Sequence, residues 1–353
     1  MVAVAEELEG AAEPTKSQKV WFGDGNVVLQ AENVQFRAHR SILSKHSVIL
    51  ASILDVAQPD GEAIVEGCSV VKLSDAPRDV EDILLALYGD PLYTNRKEEI
   101  RFRSVAAMIR LGIKYEITHL RDEGLARLKL ECPRKLEEFD RLNVRGGHRF
   151  LRYPSGIINA NFATINLAHE CKIQSILPSL YLFSLQCDLD KSLLESDDLP
   201  IPYPAMRSCI HGRQKLLEAA AKKVYKWTQQ IGTIEKCQSK KICQDVSRRV
   251  MKDQLGRTGR SSGRYLTFRT WKEYAAGEAG TKYLKLLCGP CRSYTQVAHE
   301  EGRRAAWEEL PTYFMLPKWQ DLKGFQRLAK LNFPMPPFSV ICLQDINYLS
   351  PSV

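Results

Sequence analysis

Residues 34 to 50 read VQFRAHRSILSKHSVIL, and the fold turns on how they are read. His39 and His46 stand among the hydroxyls of Ser41, Ser44 and Ser47, with Arg40 beside the first histidine. A nucleophilic serine needs a histidine within hydrogen-bond reach and a further group that orients the histidine. The surroundings point elsewhere. Upstream, VVLQA and VQFRA are two strand-like runs around the polar pair Glu32-Asn33, the pattern of a β-hairpin. Downstream, SILSKHSVILASIL is helical, with Ile42, Leu43, Ile49, Leu50, Ile53 and Leu54 on the buried side. Ser41 and Ser47 each suit an N-cap, where the hydroxyl accepts a free backbone N–H. The single G-x-S-x-G match, Gly259-Arg260-Ser261-Ser262-Gly263, falls in a basic Gly/Ser-rich stretch with no strand pattern before it, which is not the strand-turn-helix setting of a nucleophile elbow. Capping and packing account for the stretch better than hydrolysis does.

The pattern continues with VVKLSD as a third strand and DAPRDVEDILLALYGD as a helix. Asp75 is its candidate N-cap, Pro77 falls in its first turn, and Val80, Ile83, Leu84 and Leu87 recur at helical spacing. Helices are expected from Val105 to Tyr115 and, capped by Thr118, from His119 to Leu130, where Pro133 blocks extension. The order ββααβααα defines an α+β unit, a small sheet flanked by helices, over residues 19–130. Phe36, Leu43, Ile49, Leu84 and Leu111 are its expected core. A mainly helical middle region (131–235), a basic, cysteine-containing helical module (236–325) and a Pro-rich tail (326–353) follow. INLAHECKIQSILPSLYLFSLQ reads as a helix broken by Pro178.

Composition bounds the function. With 44% apolar and 26% charged residues the chain is of the globular kind. No apolar run approaches the roughly 18 residues of a membrane span. The opening MVAVAEELEGAAEPTKSQK lacks a signal peptide's basic and apolar regions, and residues 1–18 read as a disordered leader of an intracellular protein, in cytoplasm, nucleus or both. Between Ala205 and Lys272 there are 17 Lys and Arg against 4 Asp and Glu, a local +13 within a chain of net +8. Such a block serves nucleic acid, an acidic partner, or simply a solvated helix face. Arg257, Arg260, Arg264 and Arg269, with Tyr265, Phe268 and Trp271, partly fit single-strand recognition, and RTGRSSGR (257–264) reads as a basic surface loop. The mixed spacing of those aromatics fits a core better, and nucleic acid is not the expected partner. Neither phosphate-binding glycine motif, G-x-x-x-x-G-K-[ST] nor G-x-G-x-x-G, is present.

Six of the ten cysteines, Cys68, Cys132, Cys171, Cys187, Cys209 and Cys342, have no close cysteine neighbour. The other four form two pairs, Cys237-x5-Cys243 and the tighter Cys288-Gly-Pro-Cys291. Two such pairs can bind one tetrahedral Zn2+ as a structural site. They can equally be ordinary thiols, and C-G-P-C also has the form of a redox dithiol. His169 and His299 lie beside acids, and a surface helix position explains each more simply than ligation does.

NVVLQAENVQFRAHRSILSKHSVILASIL resembles the opening of a BTB/POZ domain. In that family a hairpin ending in F-x-A-H-R-x-x-L leads into a helix pair whose second helix is capped by serine. VVKLSD, DVEDILLALYGD and RLGIKYEITHLRDEGLARL match the later elements in order, with Leu111, Lys114, Tyr115 and Leu120 in the family register. The resemblance covers roughly residues 20 to 130. It implies a non-enzymatic protein-interaction scaffold or adaptor, whose partners are a second copy of itself or a cullin-type ubiquitin-ligase scaffold. Asp24, Phe36, His39, Arg40 and Leu43 are its structural motif. The arginine of the motif usually pairs with a buried acid near the first strand, but Asn26 falls at that place and Asp24 lies two residues earlier. WEELPTYFMLPKWQDLK with the upstream C-x2-C is similar to fungal BTB-containing proteins, a group in which cysteine pairs recur, which favours zinc. A DNA-associated regulator using the block 205–272 is the alternative.

Overall fold

The computed structural model describes residues 13–55, 63–95, 99–144, 151–152, 157–185, 202–257 and 268–323. The hairpin forms as expected: β2 (Val27–Ala31) and β3 (Val34–Ala38) pair antiparallel around Glu32-Asn33, with Leu29 opposite Phe36. Glu32 takes a left-handed φ of 49° to close the two-residue turn. An unexpected strand, β1 (Thr15–Trp21), pairs parallel with β3. It begins inside the stretch assigned to a leader, so that assignment is corrected from Thr15 onward; residues 1–12 lie outside the described residues. TKSQKVW escapes sequence reading because, apart from Ser17 and Val20, its side chains are not buried.

Helices α1 (Arg40–His46) and α2 (Val48–Asp55) follow, then β4 (Ile64–Val65) and β5 (Cys68–Leu73). The sheet order is β1-β3-β2-β5-β4. This makes β2 the central strand, which explains its near-continuous apolar sequence: Leu29 faces the main core while Val28 packs with Cys68 and Val70 on the other face. Helices α3 (Pro77–Leu87), α4 (Pro91–Thr94), α5 (Phe102–Lys114) and α6 (Thr118–Glu131) complete the unit, with the short β6 (Ile100–Arg101) before α5. Phe36, Leu43, Leu84 and Leu111 are buried as expected, while Ile49 is only half-buried.

The single apolar run 41–54 divides at Ser47 into two helices. Ser47 Oγ accepts the N–H of Leu50 at 2.9 Å and donates to the Tyr115 carbonyl at 2.6 Å, tying α2 to the end of α5. Ser41 does not cap. The N-cap of α1 is His39, whose side chain makes no cap bond, and the Arg40 N–H is taken instead by Asn26 Oδ1 at 2.8 Å. Nor do Asp75 and Thr118: the caps of α3 and α6 are Ala76 and Ile117. Asp75 is drawn away by Lys114 Nζ at 2.7 Å and by the Tyr115 hydroxyl. Ser47→Ala is therefore expected to destabilise the protein by about 2 kcal/mol, since it removes both a cap and a buried hydrogen bond. Ser41→Ala, at an exposed position, should stay within about 0.5 kcal/mol in the same denaturant titration.

The remainder is mainly helical: α7 (Leu136–Val144), α8 (Ile157–Glu170), α9 (Leu177–Leu185), α10 (Tyr203–Ala219), α11 (Trp227–Gln230), α12 (Lys240–Arg257), α13 (Trp271–Ala276), α14 (Glu278–Tyr283), α15 (Gly289–Glu308) and α16 (Leu310–Tyr313). The strand β7 (Leu151–Arg152) pairs with β6. The break between α8 and α9 falls at Lys172, with φ 56°, and not at Pro178, which sits harmlessly in the first turn of α9. One apolar core runs from Val20 to Phe314. α15 crosses the turn after α10 so closely that a Cβ on Gly302 would lie 2.4 Å from the Lys223 carbonyl oxygen. Buried Trp307 donates its indole N–H to the Arg134 carbonyl at 3.0 Å, and Arg110 of α5 pairs with Glu170 of α8 at 2.8 Å. The Pro-rich tail and residues 258–267 of the basic loop lie outside the described residues, as do Cys187 and Cys342.

Candidate functional site

The four paired cysteines converge. Their sulfurs all lie within 4.8 Å of one another, with Cys243 to Cys288 at 3.7 Å and Cys288 to Cys237 at 3.9 Å. Cys237 sits in a turn closed by its own N–H on the Ile234 carbonyl, and Cys243 in the first turn of α12. Cys288 is the N-cap of α15 and Cys291 lies in the first turn, with Pro290 between them. Helix α15 thus starts at the C-x2-C itself, where proline is well placed in a first turn. Cys243 and Cys291 are buried, and Cys237 and Cys288 half-buried. The thiols are free, and their separations far exceed the roughly 2.05 Å of a disulfide.

Backbone groups are turned toward these sulfurs. Desolvation raises the Cys288 thiol, but the N–H groups of Cys291 and Gln238 and the neighbouring thiols of Cys291 and Cys243 outweigh it and bring the thiol down to about 6. Burial pushes the Cys291 and Cys243 thiols up, although the Gly232 N–H offsets part of the rise at Cys291. Gly232 holds φ 82°, and a Cβ there would lie 2.6 Å from Gln244 Cγ, so this loop position requires glycine. Such a set of thiols could hold a metal ion.

Neither histidine weighed as an extra ligand joins the cluster. His169 Nε2 meets the Tyr181 hydroxyl at 2.8 Å. His299 is fully buried, contrary to the surface position expected; it accepts the Trp227 indole N–H on Nδ1 at 3.4 Å and donates from Nε2 to the Arg269 carbonyl at 2.9 Å. Sequence missed this because H-E-E-G-R-R looks like a charged face. Trp227, Trp271 and Tyr274 close around the ring. Phe268 is buried and Trp271 half-buried, so neither is free to stack on a base.

At the front of the N-terminal unit His39 is committed on both nitrogens, Nε2 to Asp24 at 3.2 Å and Nδ1 to the Tyr88 hydroxyl at 2.8 Å. It has no lone pair left for Ser41. Phe22 stacks on Tyr88 at 4.2 Å. Asp24's own backbone N–H, then His39, hold its carboxyl below the usual range. Asp24 therefore serves the histidine, while Arg40 reaches the Leu54 carbonyl and, at 3.8 Å, Asp55 at the end of α2. Phe36 and Leu43 are core. Exposed apolar side chains do occur past His46: Val48 is 64% and Ile53 37% exposed.

Residues 24–129 match the family model of the BTB/POZ domain, and the N-terminal unit is a BTB/POZ fold followed by a mainly helical region. No curated protein matches the chain. Among the described residues, no helix is long and apolar enough to cross a membrane.

Proposed function

We propose that the protein is a non-enzymatic scaffold or adaptor, acting inside the cell through its BTB/POZ domain. The observation that carries this reading is the match over residues 24–129, because BTB/POZ domains are protein-interaction modules. The exposed Val48 and Ile53 on α2 supply apolar surface of the kind partners bury. The commitment of His39 to Asp24 and Tyr88 supports a non-catalytic role for the A-H-R segment. In the cullin-adaptor form of this reading, the helical region behind the domain would select the client. Its helices α10 and α12 carry exposed cations, including Arg207, Arg248 and Arg249, that suit an acidic client better than nucleic acid, given the packing of Phe268 and Trp271.

The two partners implied by the family are separable. Light scattering of the full chain reports self-association, and a pull-down with a purified cullin N-terminal region reports the scaffold. Val48→Asp and Ile53→Asp together should weaken whichever complex forms by about tenfold or more, since charges are placed in an apolar contact. A full chain that is monomeric and does not retain a cullin, while a known adaptor does, would defeat the adaptor reading in this form. Salt-dependent duplex DNA binding would favour the nuclear alternative.

A further inference from the structure

We infer that Cys237, Cys243, Cys288 and Cys291 form a closed structural site for one Zn2+, which staples the start of α12 to the start of α15. Zinc with four thiolates at about 2.3 Å requires sulfurs about 3.8 Å apart at the corners of a tetrahedron. The 3.7 and 3.9 Å separations match that edge, and no pair exceeds 4.8 Å. Two segments 45 residues apart in sequence, Cys243 and Cys288, are brought to this one point. A core of ordinary thiols has no reason to gather them: Cys68, Cys132 and Cys209 are each buried singly among other side chains. A redox dithiol would need only Cys288 and Cys291, preceded by a strand, whereas Leu284–Leu286 before the motif is a 3-10 turn.

The surroundings suit a thiolate set. Backbone N–H groups of Gly232, Gln238 and Cys291 face the sulfurs, the outer shell that steadies bound thiolates. All four ligand positions come from protein, so the site has no open position for water or substrate, and its role is architectural. The staple fixes the entry of α15, whose later residues His299, Arg303 and Trp307 lie buried. Metal loading thereby orders the segments at the start of α12 and α15.

The test uses the full chain purified from metal-replete cells. Elemental analysis should give about one zinc per chain, and Co2+ exchange should give the absorption of a tetrahedral thiolate site. Cys291→Ser should lose the zinc, whereas Cys171→Ser, outside the cluster, should keep it. If Cys291→Ser does not fold, alkylation of the wild-type protein decides instead. Four thiols protected with zinc and reactive after chelation support the site. Zinc near zero with alkylation unaffected by added Zn2+ overturns it, as does iron in zinc's place or a disulfide between any two of the four.

Discussion

Replacing Arg303 by alanine should cost the fold about 3 kcal/mol, the lower end of what breaking a buried ion pair costs. The guanidinium is 2% exposed and sits where three segments meet. It binds Asp140 of α7 at 2.5 Å and Glu300 at 2.6 Å, and donates to the Phe268 carbonyl at 3.0 Å. Burial raises the Asp140 carboxyl, with Arg303 acting against the rise. Without the arginine, Asp140 is left partly buried and unpaired, and the Phe268 carbonyl loses its donors from Arg303. Both carboxylates keep some access to water, about 30% for Asp140, which limits the penalty. Arg303→Lys should recover only part of it, because an ammonium cannot span two carboxylates and a carbonyl as the planar fork does. Urea titration of the three proteins measures this; an alanine variant within about 1 kcal/mol of wild type would refute the network's role.

The N-terminal unit was readable because its determinants are local. Two strand-like runs, VVLQA and VQFRA, around the polar pair Glu32-Asn33 mark the hairpin, and the apolar spacing in 80–87 marks α3. Caps were less readable, since a cap depends on which side chain arrives from elsewhere. Asn26 serves α1 in place of Ser41, and Asp75 leaves α3 for Lys114 and Tyr115. The latter pair explains the spacing that gave the family likeness: Lys114 and Tyr115 close the unit onto Asp75, while the Tyr115 carbonyl holds Ser47. β1 was invisible because most of its side chains stay in contact with solvent and only its backbone joins the sheet. Of the candidate site, spacing singled out both cysteine pairs, Cys237 with Cys243 and Cys288 with Cys291, as candidate ligands of one ion, beside ordinary thiols and a redox dithiol. That the two pairs would meet depends on how α12 packs, a long-range matter that periodicity does not encode.

The C-terminal module should also weaken in acid through His299. Its neutral imidazole is specified from both sides, by the Trp227 N–H on Nδ1 and the Arg269 carbonyl on Nε2. Burial lowers its pKa to about 4; the Arg269 carbonyl and Glu300 pull the other way, and Arg303 lowers it further. In the unfolded chain the same ring titrates near its ordinary value of about 6.5. Folding thus excludes a proton that the unfolded state binds. The contribution is complete above about pH 6.5 and is lost as pH falls toward 4, a total of about 3 kcal/mol. Asp79 and Asp140, whose carboxyls burial raises, act in the opposite sense over the acid range. Wild type must therefore be compared with His299→Gln, which carries an amide able to accept from Trp227 and donate to Arg269 but does not titrate. The wild-type unfolding free energy should fall more steeply than the variant's between pH 6.5 and 4, with the two curves parallel above pH 7. Parallel curves throughout would mean that the buried ring takes up its proton without opening the Trp227 cage.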